Sequence, residues 1–141
     1  MSSSTETRKV LKQLTLQSKP EVIHTIEAVV DDIRSDLDFK EDVYGNVMVA
    51  VTEAVNNSVV HGNGGDESKK VFVDFEMENT YRLLVRVRDE GPGFDPATLP
   101  DPTAPENLMN MGGRGVFLMQ HLSDEMSFSN DGKQVEMVFN I

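Results

Sequence analysis

Two neighbouring segments alternate strictly between apolar and charged side chains, and this pattern limits the possible folds more than any other feature. The apolar positions of the two segments are Val71, Val73, Phe75 and Met77, then Tyr81, Leu83, Val85 and Val87. The charged positions are Asp74, Glu76 and Glu78, then mostly Arg82, Arg86 and Arg88. Such alternation predicts strands of a sheet with helices on one face and water on the other. The acidic and basic rows are expected to pair across antiparallel neighbours as a solvated sheet face.

Two helices are predicted before this pair of strands. Each begins with a capping-box pattern, and the two patterns are Ser18 with Glu21 and Asp38 with Glu41. Apolar residues at helical spacing follow both starts. The second helix is expected to run to about Val60, where a glycine-rich turn ends it.

The remaining elements complete a layered fold. A first strand is predicted at 9–17, a short helix beginning near Gly115, and two final strands at 125–129 and 134–141. Residues 95–111 contain four prolines and no clear period, which is typical of a long functional loop. The fold class is therefore α/β, an α+β two-layer sandwich whose mixed sheet is mostly antiparallel.

Composition excludes several classes of protein. The 141 residues suit a single domain spanning 1–141, with no apolar run long enough for a membrane span. The chain has 24 acidic and 13 basic side chains, a net charge of −11, which argues against direct binding of nucleic acid. It has no cysteine, which rules out disulfides, zinc–thiolate sites and thiol catalysis and fits a cytoplasmic protein.

A polar row lies on the second predicted helix. Glu53, Asn57 and His61 are spaced at i, i+4 and i+8, so their side chains are neighbours along one edge of the helix. A carboxylate and an amide oxygen one turn apart suit Mg²⁺ or a positioned water. The same spacing also occurs on ordinary exposed helix faces, and His61 is expected to end the helix or bond locally.

Asp89 falls on the apolar, inward side of its strand when positions are counted by twos from Val85 and Val87. A carboxylate there needs a partner, because burial of an unpaired charge is costly. One reading is an Asp that caps the following turn. The other is an acceptor for the exocyclic amine of adenine, with Gly91 and Gly93 allowing the backbone to approach a flat ligand.

A second glycine-rich segment, Gly112-Gly113-Arg114-Gly115, directly precedes the predicted short helix. Free N–H groups and the helix dipole at such a position favour a phosphate, and Arg114 adds a charged donor. A glycine run is also a common flexible turn. Neither glycine segment is a phosphate loop ending in Gly-Lys-Ser or Gly-Lys-Thr, nor a dinucleotide fingerprint after the first strand.

The three motifs in this order resemble the GHKL (histidine kinase-like) ATPase superfamily, and most closely its branch of bacterial anti-sigma factors with serine-protein kinase activity. The segment 53–57 with His61-Gly62 resembles the N box, 89–94 the first glycine box, and 113–119 the second. The resemblance extends from about Leu14 to the C-terminus.

The resemblance implies a role for each motif residue. Glu53 would be the general base, Asn57 the Mg²⁺ ligand and Asp89 the group that binds the adenine amine. The remaining ATP-binding residues would be Gly91, Gly93, Gly113, Arg114 and Gly115, with 95–111 as the ATP lid. One departure concerns Lys133, which stands where the family usually has a Thr that helps to hold adenine. Either another group completes the adenine pocket, or nucleotide affinity is altered.

The leading hypothesis is an ATP- and Mg²⁺-dependent kinase that phosphorylates a Ser or Thr of a STAS-type anti-sigma-factor antagonist. By resemblance, the protein would also bind a sigma factor and would act as a homodimer. The alternative is a non-catalytic regulatory module that uses ATP only to set its shape. A sensor histidine kinase fragment is disfavoured, because no phosphoacceptor-histidine helix precedes the predicted fold.

Overall fold

The computed structural model describes residues 8–92, 111–129 and 132–141, with the backbone alone for 111–115. The strands are β1 (Arg8–Gln17), β2 (Lys70–Glu78), β3 (Arg82–Asp89), β4 (Glu125–Ser129) and β5 (Gln134–Asn140). The helices are α1 (Val22–Leu37), α2 (Glu41–Asn57), which continues into a π-helical turn (Ser58–Gly62), and α3 (Met111–Leu122).

The strands form one five-stranded sheet in the order β1-β2-β3-β5-β4, and all of its pairings are antiparallel within the described residues. The α+β prediction is confirmed, although no parallel pair of a mixed sheet occurs there. The predicted alternation is also confirmed: Val73, Phe75 and Val85 are fully buried on the face that the helices cover. Tyr81 is the exception, because it lies in the turn before β3 and is exposed.

The opposite face of the sheet carries the predicted charge pairing. Arg86 lies in register with Asp74 on β2 and Glu136 on β5. Its guanidinium donates to Glu76 through both terminal nitrogens, at 3.2 and 3.0 Å, and to Glu136 through Nε at 2.9 Å. Arg82 donates to Glu78 through Nε at 2.8 Å and to Glu125 through a terminal nitrogen at 2.8 Å. These arginines hold the solvated face together by ion pairing, as the sequence predicts.

Both predicted capping boxes are wrong. Ser18 is buried and donates its hydroxyl hydrogen to the carbonyl of Lys69 at 2.7 Å, so it is not free to cap α1. Asp38 does not open α2 but closes α1, with a left-handed backbone (φ 55°) and its N–H bonded to the carbonyl of Arg34. The cap position of α2 is Lys40. Tertiary contacts and the tight connection between the helices outweigh the local capping signal.

The helices cover one face of the sheet and form the core with it. The buried positions of α1 are Val22, Ile26, Val29, Val30 and Ile33, as their helical spacing predicts. The buried positions of α2 are Val47, Ala50, Val51, Ala54 and Val55. Helix α3 packs on α2 and begins at Met111, four residues before the predicted start. Among the described residues, no helix has both the length and the apolar character needed to cross a membrane.

Candidate nucleotide-binding site

A cavity of about 280 Å³ lies between the end of α2, strands β3 and β5, and helix α3. Its volume is close to the lower end of the roughly 300–1,000 Å³ that is typical of ligand pockets. Two residues predicted from separate motifs, Asn57 and Asp89, both line it. The apolar part of the wall is Ala54, Val87, Val116, Met119, Phe128 and Val135. The cavity is therefore an apolar slot with a few polar groups, which is the usual form of a small-molecule site.

The polar edge of the cavity comes from the change of helix type after Asn57. Ser58, His61 and Gly62 belong to the π-helical turn and line the cavity with Asn57. The N–H of Asn63 bonds to the carbonyl of Ser58 at 2.8 Å, which is the five-residue spacing of a π turn. The wider turn lets Ser58 face Asp89 while the backbone of Gly62 passes beside the same carboxylate.

Asp89 ends β3 with its side chain inward, 8% exposed, as strand alternation predicts. Burial raises the pKa of Asp89 above its ordinary value. The Gly91 N–H, which donates to Oδ1 at 2.9 Å, and the Ser58 hydroxyl oppose that rise, as do the charges of Lys133 and Lys69. The carboxylate therefore has donors on its protein side and, with about four lone-pair sites on its two oxygens, retains capacity to accept from a ligand in the cavity.

Two glycines allow this arrangement. A Cβ atom on Gly62 would overlap the carboxylate of Asp89, and a Cβ atom on Gly91 would overlap the carbonyl of Gly62. Any side chain at either position would therefore displace the carboxylate or the turn that faces it. Gly91 thus acts through close backbone packing and not through the cavity surface, where Pro92 is the neighbouring residue.

Proteins of known family resemble this chain over most of its length. A family model described as a histidine kinase-like ATPase domain matches residues 16–139. The chain belongs to the histidine kinase-like ATPase family. A serine-protein kinase RsbW of Listeria innocua serovar 6a is 30% identical over 131 residues, which cover 88% of this chain and 83% of that protein. Proteins of the same name from Bacillus licheniformis and Bacillus subtilis are 31% and 28% identical, over 81% and 84% of this chain.

Solved structures support the fold of this family member. The RsbU and RsbW domains of Rv1364c from Mycobacterium tuberculosis match with a TM-score of 0.62 at 14% identity, over 92% of this chain and 32% of that one. The histidine kinase domain of the Erythrobacter litoralis EL346 blue-light activated histidine kinase matches with a TM-score of 0.52 at 16% identity. That match covers 84% of this chain and 60% of the kinase.

The structure does not bring all the predicted site residues of this chain together. Glu53 lies one turn before Asn57 on α2, half-buried, but outside the residues that line the cavity. Gly113, Arg114 and Gly115 lie inside α3 and not before it, and their side-chain surroundings are not described. Gly93 lies outside the described residues. So do residues 95–110 of the predicted ATP lid, whereas its last residue, Met111, begins α3.

ATP fits the donors and acceptors that are present. Asp89 offers an inward acceptor for an amine, and the backbone of Gly62 packs directly against its carboxylate. Asn57 offers one amide oxygen at the cavity edge. Mg²⁺ is commonly held by one or two protein ligands together with substrate phosphates and waters, so a single oxygen is compatible with a metal that arrives with the nucleotide.

Three polar residues in the cavity wall or directly behind it did not stand out as site residues in the sequence. Ser58 lies four residues after Ala54 on the buried stripe of α2, and a polar residue at such a position signals a buried partner. Asn63 reads only as part of a glycine-rich turn, although it is 3% exposed. Lys133 stood out only as a departure from the family, and the structure places it in the cavity wall with its charge acting on Asp89.

Proposed function

We propose that this chain binds ATP with Mg²⁺ and phosphorylates a Ser or Thr of a STAS-type anti-sigma-factor antagonist. It would thereby regulate transcription that depends on a sigma factor. The phosphorylation state of the antagonist would decide whether the protein binds the antagonist or the sigma factor. The observation that supports nucleotide binding best is the buried Asp89 carboxylate, held by Ser58 and Gly91 in the wall of an apolar cavity that Asn57 also lines.

The roles of the residues follow from their placement. Asp89 would accept a hydrogen bond from the adenine amine at the inner end of the cavity, and Asn57 would hold Mg²⁺ at its edge. When bound, Mg²⁺ neutralises phosphate charge, which an acidic chain needs. Gly113, Arg114 and Gly115 in the first turns of α3 would contact the triphosphate, Gly93 would border the adenine, and 95–111 would form the lid.

Glu53 would act as the general base. It would accept the proton of the attacking hydroxyl as that oxygen bonds to the γ-phosphorus and ADP leaves. The kinase names of the relatives support this role, and so does the position of Glu53 one helical turn from Asn57. We propose a cytoplasmic homodimer as the working form, on the resemblance alone.

Phosphate transfer tests the kinase proposal directly. The protein is incubated with γ-labelled ATP, Mg²⁺ and the STAS protein encoded beside it, and the label on the STAS protein is measured. Glu53→Gln should lower transfer by about 100-fold, within the range expected for loss of a general base, and should leave ATP binding unchanged. Glu67→Gln, at an exposed residue of the turn after the π-helical segment, is the matched control and should transfer normally. No transfer by the wild type would remove the kinase claim, and equal transfer by Glu53→Gln and the wild type would remove the role of Glu53 as general base.

A non-catalytic ATP-dependent switch is the second candidate. Two observations favour it: Glu53 does not line the cavity, and Lys133 stands at the position where the family usually has Thr. In that case wild type and Glu53→Gln would bind ATP alike, neither would transfer phosphate, and ATP would still change the affinity for the sigma factor.

A further inference from the structure

Asn63 is buried directly after the π-helical turn and uses its whole side-chain amide. Its Oδ1 accepts from the backbone N–H of Glu90 at 2.9 Å. Its Nδ2 donates to the hydroxyl oxygen of Ser18 at 2.7 Å and to the carbonyl of Lys70 at 3.0 Å. One side chain thereby joins the ends of β1, β2 and β3.

The contact of Asn63 with Glu90 fixes the backbone segment that carries Asp89. The Asp89 N–H bonds to the carbonyl of Lys133 at 3.0 Å, and the Gly91 N–H bonds to Asp89 itself. Between them, the Glu90 N–H has the side chain of Asn63 as its acceptor. The backbone that carries the Asp89 carboxylate is therefore fixed at its middle peptide by Asn63.

The remaining contacts explain why this residue is an Asn. Ser18 donates its own hydrogen to the carbonyl of Lys69 at 2.7 Å, so its oxygen is left to accept. Position 63 must supply two donors and one acceptor at once, which an ionised Asp cannot do. The backbone at Asn63 (φ −92°, ψ −3°) suits any L residue, so conformation alone does not select Asn.

We infer that Asn63 is a positioning residue for recognition of the nucleotide base, which acts by holding the Asp89–Gly91 backbone so that the Asp89 carboxylate faces the cavity. The inference rests on the proposed binding of ATP. It predicts that Asn63 matters for a ligand that carries the 6-amino group and not for one that lacks it.

The matched pair of variants is Asn63→Ala and Ser18→Ala. Both remove part of the same buried network, but only Asn63→Ala removes the bond to Glu90. Affinities are measured for ATP and for purine riboside triphosphate, which lacks the 6-amino group. Asn63→Ala should weaken ATP about tenfold and leave the purine nucleotide unchanged, since only the amine needs an aligned acceptor. Ser18→Ala should keep the wild-type preference for ATP.

Equal losses for both nucleotides in Asn63→Ala, or no loss for either, would overturn the inference. If Asn63→Ala does not fold, Asn63→Ser replaces it, because a Ser side chain is too short to reach Glu90 but keeps a polar group. Failure of the proposed function looks different: the wild type itself would bind no ATP, or would bind both nucleotides equally.

Hydrogen exchange of the nucleotide-free protein tests the positioning step of the inference independently of ATP. The amides of Glu90 and Gly91 should exchange about tenfold faster in Asn63→Ala than in wild type, while the Val85 amide in the middle of β3 keeps its rate. Unchanged exchange at Glu90 would show that Asn63 does not fix this backbone, and equal acceleration at Val85 would show that Asn63 serves only general stability. Either result would overturn the inference.

Discussion

The backbone of Gly62 lies directly against the carboxylate of Asp89, with no room for a Cβ atom between them. Gly62 belongs to the N box and Asp89 to the first glycine box, 27 residues later in the sequence. The two motifs thus form one wall of the cavity. Gly62→Ala should displace the carboxylate, cost about 1–3 kcal/mol of unfolding free energy through overpacking, and abolish measurable binding of ATP. Thermal unfolding and nucleotide titration check both parts.

Gly45 provides the matched control for that substitution. It lies within α2, where an added Cβ would have no atom within 4 Å. Gly45→Ala should therefore stabilise the protein by about 0.5–1 kcal/mol, because Ala loses less backbone entropy in a helix, and should leave binding intact. If Gly62→Ala binds ATP as well as Gly45→Ala does, the close packing described for Asp89 is not required.

Asp89 should lower the stability of the nucleotide-free protein at neutral pH. Burial raises the pKa of its carboxyl above the ordinary 3.8, so the folded state binds the proton more tightly than the unfolded state. The contribution of this group to stability therefore decreases as pH rises from the ordinary value through the raised one. Asp89→Asn should raise the unfolding free energy at pH 7 by about 0.5–2 kcal/mol. Denaturant unfolding checks this, and a less stable Asp89→Asn protein at pH 7 would contradict it.

Strand alternation and helical spacing predicted most of the fold, because both report which face each residue buries. Asp89 was placed inward by counting along β3. The start of each helix was not predictable in this way. Ser18 and Asp38 looked like caps, but Ser18 bonds to Lys69 and Asp38 closes α1, which are contacts with parts of the chain outside the local motif.

The site was predictable in its motifs but not in its connections. The roles of Asn57 and Asp89 came from motif order, and the structure places both in one cavity. The contributions of Ser58 and Asn63 depend on the π-helical turn, which has no sequence signature in this chain. Long-range hydrogen bonds such as Asn63 to Glu90 span 27 residues and cannot be read from local spacing.

Arg86 should be the most important charge on the open face of the sheet. Its hydrogen bonds to Glu76 and Glu136 raise its pKa, and it also lies 3.7 Å from Asp74. Arg86→Met would leave the three carboxylates facing one another with Arg8, 3.8 Å from Glu76, as the nearest remaining ion-pair partner among the described residues, and should cost about 1–3 kcal/mol. The cost should shrink in 1 M salt, roughly as charge screening requires. Denaturant unfolding at low and high salt checks both values.

Arg88 is the control for the open face. It is exposed and stacks over Phe72, 4.3 Å from the ring centroid. Arg88→Met should cost at most about 0.5–1 kcal/mol, the usual range for an exposed cation–π contact. Equal costs for the two substitutions would show that the Arg86 network adds nothing beyond an ordinary surface contact.

ATP affinity should depend on pH through Asp89. Its carboxyl group accepts from the amine more strongly when it is ionised. Because its pKa is raised, the loss of affinity on acidification should begin at a higher pH than for an ordinary Asp. Lys133 opposes that rise, so Lys133→Met should move the midpoint to still higher pH, whereas Lys9→Met on the exposed edge strand should not. The ratio of ATP to purine riboside triphosphate affinity, measured from about pH 4 to 8, cancels protonation of the phosphates. A Lys133→Met midpoint at or below the wild-type value would contradict this.

The most direct test of the account is calorimetric titration of Mg²⁺·ATP into the wild type and Asp89→Asn, both confirmed as folded by circular dichroism. Asn at position 89 can keep the bond to the Gly91 N–H but presents an amide that opposes the adenine amine. We expect one ATP per chain in the wild type and at least about a tenfold to hundredfold loss of affinity in Asp89→Asn, as removal of a charged acceptor predicts. Equal affinity in the two proteins, or no binding by the wild type, would contradict the central claim that this cavity holds ATP through Asp89.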